Sequence, residues 1–332
     1  MSDDDKTIVL DMGTGAPDYG NCPVCGQKFQ PDPEDVELLR CPACNFVKKT
    51  VTIIEVGSVI AHKYRVLSYL NGGGYGSIYL CHPLGDISAR YVLKVLKQPN
   101  DVSKKRFKRE AGILSSLNNN KRIARIMDYW EASGITYIVM EYINGSNLKE
   151  LYKNCEFDEE TVLTIAFEVA RALQDIWNEF KIIHRDIKPE NIMVDTDSHI
   201  KLLDFGLSKQ YGQELSQTSK ITMAHSSMGT PGYMSPEHFT NFKDVDFRSD
   251  IYSLGATLFY LLTGRESMEA DSVMEYYNQT MAFSPPPVES FQNRCSEGCI
   301  RMIRKMMHRN IADRHHSYEE LIAEITALLN GV

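Results

Sequence analysis

The spacing of apolar positions changes once along the chain, and the change divides it into two parts. In the first, runs rich in Val, Ile, Leu and Tyr predict strands at 64–70, 77–82, 90–96 and 135–142, with one helical run between them at 104–117. Beyond Gly145 the apolar residues recur at helical spacing, which predicts helices over 159–180, 249–262, 297–308 and 318–329. Strands followed by helices, with no internal repeat, make an α+β arrangement. Pro285, Pro286 and Pro287 mark a loop within the helical part.

Ahead of this pattern the chain reads differently. Residues 1–20 are acidic, then rich in Gly and Pro, and carry neither period, so a flexible tail is expected there. Residues 21–49 hold two Cys-x-x-Cys pairs, 50–56 read as an extended connector, and 57–330 form the main domain. The full chain of 332 residues is long enough for one two-part domain and a small module before it. Its net charge of −8 argues against non-specific binding to a nucleic-acid backbone, which needs a dense basic surface. No run approaches the roughly 18 apolar residues of a membrane span. The start, with Asp3, Asp4 and Asp5 before its short apolar run, lacks the basic flank of a secretory signal. Paired cysteines in such a chain read as thiolate ligands in a reducing compartment, and a cytoplasmic protein is expected.

The first chemical signal is Leu70-Asn71-Gly72-Gly73-Gly74-Tyr75-Gly76-Ser77-Ile78-Tyr79, between two predicted strands. Glycines allow a backbone to approach a polyphosphate closely and turn its N–H groups toward the oxygens. Alone, such a run is equally a tight hairpin. The next strand places Lys94 among apolar neighbours, where its charge needs a partner, and Glu110 on the following helix is the natural one. A strand lysine that reaches to solvent is the alternative. Two further signals lie downstream: His184-Arg185-Asp186-Ile187-Lys188-Pro189-Glu190-Asn191, and Asp204-Phe205-Gly206 after a short apolar strand at 200–203.

Taken together, and in this order, these motifs resemble the eukaryotic-like protein kinases in their Ser/Thr form, over about 57–330. The runs Tyr64-Arg65-Val66 and Arg248-Ser249-Asp250 resemble the bacterial members. The resemblance implies a bilobal fold, a β-rich lobe at 57–143 and a helical lobe at 144–330, with ATP and Mg²⁺ between them. It implies that Gly73, Gly76, Tyr75 and Ile78 cover the phosphates, with Asn71 departing from the family's first glycine. Lys94 would bind the α- and β-phosphates and pair with Glu110. Asp186 would accept the proton of the acceptor hydroxyl, Lys188 would steady the γ-phosphate, and Asn191 and Asp204 would hold Mg²⁺. Met140 would stand behind adenine, the backbone groups of Glu141 and Ile143 would bond the base, and Asn147 would reach the ribose.

Further roles follow from the same resemblance. The hydroxyl-rich stretch with Ser216, Thr218, Ser219, Thr222, Ser226 and Ser227 would be an activation loop that is autophosphorylated, with Arg185 facing the added phosphate. Residues 229–237 would face the protein substrate, with Ser235 where the family usually has alanine. Leu207 hints at serine as acceptor. Glu237 would pair with Arg314, and Asp250 would anchor the catalytic loop from a helix. A pseudokinase scaffold is the competing reading, against which the intact Lys94, Glu110, Asp186, Asn191 and Asp204 stand.

Cys22, Cys25, Cys41 and Cys44 form two knuckles that together complete a tetrahedral four-sulfur site, resembling a zinc ribbon. Zn²⁺ is the expected ion; iron, as in rubredoxin-like knuckles, is one alternative, and a disulfide or free thiols the other. So short a segment would take much of its folding free energy from the metal. Lys28, Arg40, Lys48 and Lys49 are offset by Asp32, Glu34, Asp35 and Glu37, which favours a protein-docking or autoregulatory module over a nucleic-acid one. A metal-dependent binding protein with secondary kinase activity is the remaining reading. Cys295 and Cys299 are expected to be structural thiols rather than a second metal site.

Overall fold

The structure is a computed structural model, and it describes residues 25, 27, 30–31, 38–40, 42–44, 47–49, 54–73, 76–97, 112, 115, 120–132, 135–203, 231–240, 245–268, 270, 273–282 and 285–331. The chain folds into two units, one of residues 1–99 with 126–142 and one of residues 100–125 with 143–332. Gly112 and Ser115 apart, the predicted helix at 104–117 lies outside the described residues.

The first unit is built on six antiparallel strands: β4 (Val59–Ile60), β5 (Tyr64–Gly73), β6 (Gly76–Pro83), β7 (Tyr91–Lys97), β8 (Ile126–Ala132) and β9 (Ile135–Glu141). Their order across the sheet is β4-β5-β6-β7-β9-β8. Four of these strands fall where the apolar pattern puts them. β8 was not expected, because Asp128 and Glu131 interrupt its apolar run; pairing with β9 creates it.

The sheet curls until β5 reaches β8. Asp128 of β8 accepts from Lys63 Nζ at 2.8 Å and from the Tyr64 hydroxyl at 3.2 Å. Trp130 lies stacked between Tyr64, 6.0 Å away, and Tyr137, 5.0 Å away. Residues directly opposite in an antiparallel sheet share a face. The row Tyr79, Leu93, Val139 is therefore on the inside of the curl and fully buried. Lys94, opposite Ile78 and Ile138, is on the other face.

Before this sheet, β1 (Gln30–Pro31), β2 (Leu38–Arg40) and β3 (Val47–Lys49) form a three-stranded antiparallel sheet of their own, in the order β1-β2-β3. After it the connector meets the larger sheet at Ile54, whose N–H donates to the Tyr79 hydroxyl at 2.8 Å.

The second unit is helical. Its principal helices are α1 (Leu148–Tyr152), α2 (Glu159–Phe180), α3 (Pro236–Thr240), α4 (Phe247–Thr263), α5 (Val273–Ala282), α6 (Glu297–Met306) and α7 (Tyr318–Leu329). The starts of the long helices obey capping chemistry: Asp158, Asp246, Ser296 and Ser317 each accept from a backbone N–H of the first turn. The Asp246 cap starts α4 two residues ahead of the expected Ser249. Residues 249–262 of α4 are all buried, as in a helix with no solvent face, so α4 is the axis of the unit.

A small sheet of β10 (Gly145–Asn147), β11 (Ile192–Asp195) and β12 (Ile200–Leu202) completes this unit. β10 was not legible in the sequence, being only three residues long and lacking an apolar alternation. Gly145 is required there: a Cβ would sit 2.0 Å from the Val194 carbonyl oxygen. Since backbone rather than a flexible side chain occupies that place, Gly145→Ala should cost about 3 kcal/mol or more, at or above the upper end for overpacking. An unchanged melting temperature in thermal unfolding would show that β10 and β11 are not packed this way.

Candidate active site

The segment His184–Asn191 is fixed from several sides within the second unit. From the first turn of α4, fully buried Asp250 accepts two backbone N–H groups, His184 at 2.7 Å and Arg185 at 2.8 Å. These two bonds hold Arg185 at a φ of +67°, a left-handed conformation that a long side chain rarely adopts. His184 is also fully buried. Its Nδ1 accepts from the Asp186 N–H at 3.2 Å, which leaves Nε2–H to donate to the Leu203 carbonyl at 2.7 Å. One neutral tautomer thus serves both bonds.

The end of the loop is held as firmly. Asn191 closes a short 3₁₀ turn, Pro189–Asn191, and its Nδ2 donates to the Asp186 carbonyl at 2.8 Å. Its backbone carbonyl accepts from the Leu203 N–H at 2.9 Å. The side-chain oxygen of Asn191 stays available as a hard donor of the kind Mg²⁺ prefers. Lys188 Nζ stands 3.6 Å from the Asp186 carboxylate. Asp204 lies outside the described residues, but the residue before it, Leu203, is fixed by both His184 and Asn191.

Burial pushes the Asp250 carboxyl up to about 7, against the pull of the Arg185 and His184 N–H groups. A carboxylate there takes two N–H donors at once, whereas a protonated carboxyl has one acceptor fewer. The anchor is therefore tightest above that pH.

Beneath the loop lies the pair that the sequence assigns to Glu237 and Arg314. The two meet in a forked contact at 2.7 and 2.8 Å, with Arg314 wholly buried. The remaining guanidinium donors reach the carbonyls of His308, Arg248 and Arg309, and its central carbon lies 4.9 Å from the centre of the Tyr252 ring. Ser249 adds its hydroxyl to Glu237 at 2.5 Å. Neither this bond nor the tautomer of His184 was legible in the sequence, since the first depends on Ser249 of α4 meeting Glu237 and the second on Leu203 returning beside the loop.

In the first unit, Lys94 is buried on β7 and Met140 is buried on β9, where it pairs with Val92 and Ile126. Glu141 is the last residue of β9, opposite Tyr91, and the chain leaves this unit between Tyr142 and Ile143. The glycine-rich turn closes with Gly73 opposite Gly76, and Ile78 faces Asn71. Asn71 accepts from the Gly72 N–H through its own side chain at 2.8 Å, so that donor is already engaged. Tyr75 and Glu110 lie outside the described residues. Asn147 caps α1, its Oδ1 accepting from the Glu150 N–H at 2.9 Å. Only its amide nitrogen is then left to donate to a ribose.

Cys25 and Cys44 are exposed. Cys22 and Cys41 lie outside the described residues, as does the stretch holding Ser216, Thr218, Ser219, Thr222, Ser226 and Ser227. Of the two cysteines expected to be buried, Cys299 is fully buried and Cys295 only half-buried.

Residues 64–324 match the family model described as protein kinase domain. The chain is 35% identical over 284 residues to "Serine/threonine-protein kinase pkn3" of Myxococcus xanthus, covering 82% of this chain and 51% of that protein. It is 32% identical over 274 residues to "Serine/threonine-protein kinase PrkC" of Bacillus subtilis, covering 81% and 41%. The chain thus spans about half the length, or less, of these curated relatives. Among solved structures, "Crystal structure of Rad53 1-466 in complex with AMP-PNP" is similar in fold, with a TM-score of 0.63 at 21% identity, over 78% of this chain and 64% of that one.

The buried pair gives stability a definite pH dependence. Burial by itself raises the Glu237 carboxyl, but the two Arg314 bonds, its charge and the Ser249 hydroxyl reverse this and hold it at about 2, below the ordinary 4.5. A carboxyl depressed on folding contributes stability that is present above its unfolded value and lost as pH falls through the folded one. Its contribution, about 3 kcal/mol, should fade between pH about 4.5 and 2. Urea midpoints measured across that range should fall less steeply in Glu237→Gln than in the parent. Parallel slopes would mean that the pair does not form.

Proposed function

The chain belongs to the protein kinase domain family, and from that premise we propose that it is a serine/threonine protein kinase, transferring the γ-phosphate of ATP to hydroxyls of protein substrates. The observation that carries the reading is the His184–Asn191 loop fastened to Asp250, which fixes the backbone of Asp186 and the side chain of Asn191 before any substrate arrives. Phosphoryl transfer asks a protein mainly for position and charge, and such anchoring supplies position.

In this reading the Asp186 carboxylate accepts the proton of the acceptor hydroxyl and aims its oxygen. Lys188, held near that carboxylate, balances negative charge on the phosphoryl group in transfer. The side-chain oxygen of Asn191, with Asp204, would hold Mg²⁺, which when bound supplies electrostatic relief on the phosphate oxygens. Lys94, buried in an apolar strand, would meet the α- and β-phosphates and pair with Glu110. Gly73, Tyr75, Gly76 and Ile78 would cover the phosphates, and Met140, Glu141, Ile143 and Asn147 would receive the nucleoside. Glu237 and Arg314 are structural. The hydroxyl-rich stretch before Gly229 would carry the autophosphorylated residues, and cytoplasmic placement suits the substrate class.

The four cysteines form a zinc site in this reading, and the module docks a protein partner or regulates the kinase. Two Cys-x-x-Cys pairs with two short strands between them and a third after them support it, since two or three residues per strand bury little core without a metal.

With Mg²⁺ and γ-labelled ATP the purified chain should take up label, and Asp186→Ala and Asp204→Ala should each reduce uptake by about 10²-fold or more. Mass-spectrometric mapping should place the phosphates between residues 207 and 228. No label on the chain or on generic protein substrates, with ATP binding intact, would make it a pseudokinase scaffold.

Metal analysis of the untreated protein should find about one zinc per chain, lost on Cys22→Ser and Cys41→Ser together. Iron in its place would show as visible colour, and an absence of both ions would end the metal reading.

A further inference from the structure

Two cysteines of the second unit, Cys295 and Cys299, meet at the start of α6, and the roles above leave both unused. Both are free thiols, Cys299 fully buried and Cys295 half-buried, and their side chains are hydrogen-bonded to one another. Ser296, next to Cys295, is the helix cap: its Oγ accepts from the Cys299 N–H at 3.2 Å. The capping turn thus brings a residue from outside the helix against one in its first turn.

The segment that delivers Cys295 is held there against strain. Gln292 and Asn293 stand consecutively at φ of +52° and +58°, the left-handed region that residues with side chains seldom occupy. Such strain lasts only where neighbouring contacts over-determine the chain. Here the residues around the start of α2 supply them. Arg294 makes a forked contact with Glu156 at 2.5 and 3.1 Å, and Ser296 gives its N–H and its hydroxyl to Glu159 at 2.7 and 2.6 Å. With residues 294 and 296 both tied down, Cys295 is fixed beside Cys299. The two sulfurs are unequal. Cys299 donates its S–H to Cys295, which lowers the Cys295 thiol below its ordinary range against partial burial and the Glu159 charge. The same bond, with burial, raises Cys299. A partly exposed thiolate beside a buried thiol is the arrangement of an attacking sulfur and a resolving one.

We propose that Cys295 and Cys299 are a peroxide-sensitive dithiol, in which Cys295 is oxidised first and Cys299 captures it as a disulfide across the first turn of α6. In the first step the Cys295 thiolate attacks one oxygen of hydrogen peroxide. An S–O bond forms, the O–O bond breaks, and the released hydroxide takes up the proton that the thiol gave to solvent, leaving as water. In the second step the Cys299 sulfur attacks the sulfur of this sulfenic acid. The S–S bond forms, the S–O bond breaks, and the Cys299 proton leaves with the hydroxyl group as a second water. The sulfurs together give up two electrons, and the peroxide takes them. Capture keeps Cys295 from proceeding to sulfinic acid, which thiol reductants do not reverse. This chemistry stands apart from the kinase reading and does not rest on it.

The test uses the full chain. Trypsin, cutting after Arg294 and Arg301, isolates the peptide Cys295–Arg301, which holds both sulfurs and no other cysteine. The reduced protein is exposed to a small excess of hydrogen peroxide, its remaining thiols are alkylated under denaturing conditions, and the peptide is weighed. It should be about 2 Da lighter than the unalkylated dithiol, and a dithiol reductant applied before alkylation should restore both thiols. Exposed Cys155 is the internal control, and the pair should close at least about 10-fold faster than Cys155 is oxidised. In Cys299→Ala the same treatment should carry Cys295 to sulfinic acid, about 32 Da heavier. In Cys295→Ser, buried Cys299 should still take the alkylating label once the chain is denatured. Two alkylated thiols in the peptide after peroxide, or Cys155 oxidised as fast as the pair, would overturn the proposal. So would a parent peptide in which Cys295 ends as sulfinic acid or bridges to a different cysteine, for then Cys299 does not capture it.

Discussion

The bonds from Asp250 to two successive backbone N–H groups are the constraint on which the functional reading depends. They run from the buried axis of the helical unit to the loop that carries Asp186 and Asn191. A backbone amide has no rotamer freedom, so a carboxylate that grips two of them positions the chain more firmly than a side-chain contact would. The strained φ of Arg185 is the sign of that grip. Strain of this sort persists only where surrounding contacts over-determine it, and here His184, Asn191 and Leu203 do so together.

The Glu237–Arg314 pair acts at one remove. It ties the segment after the hydroxyl-rich stretch to the turn between α6 and α7, and Arg248 contributes a carbonyl to the same guanidinium. Because all five N–H donors find acceptors, the charge is fully compensated despite complete burial. Ser249 and Asp250 are neighbours on α4, one serving this pair and the other the His184–Asn191 loop. The two devices share one rigid element, which makes α4 the common reference for both.

Much of this was legible in the sequence, because the motifs are runs of adjacent residues whose spacing survives without the fold. His184 to Asn191, Asp250 and the Glu237–Arg314 pair could be named from the sequence because the family pattern specifies them. Strand β8 could not, since its apolar run is broken by Asp128 and Glu131 and only pairing with β9 makes it a strand. The placing of Lys149 3.5 Å from Glu190 and 3.7 Å from Glu266 was also hidden. Those three residues are separated by 41 and 76 positions along the chain, and isolated charged residues ordinarily mean nothing more than solvation. The glycine at 145 was visible as a letter, but its purpose, making room for the carbonyl of Val194, needed the paired strands.

The curled sheet has a consequence for how the chain comes to be folded. Its last two strands, β8 and β9, are separated from β7 by residues 98–125, most of which belong to the other unit. On a ribosome, chains emerge at roughly 5–20 residues per second. Tyr64 would therefore wait several seconds for Asp128 and Trp130 to arrive. Until then β5, β6 and β7 form an open sheet with a long unpaired edge on β7, the kind of surface to which another nascent chain can add a strand. The synthesis of about forty further residues, from Lys97 to Glu141, is thus the interval in which this protein is most exposed to misassembly, and a pause in translation there would lengthen it.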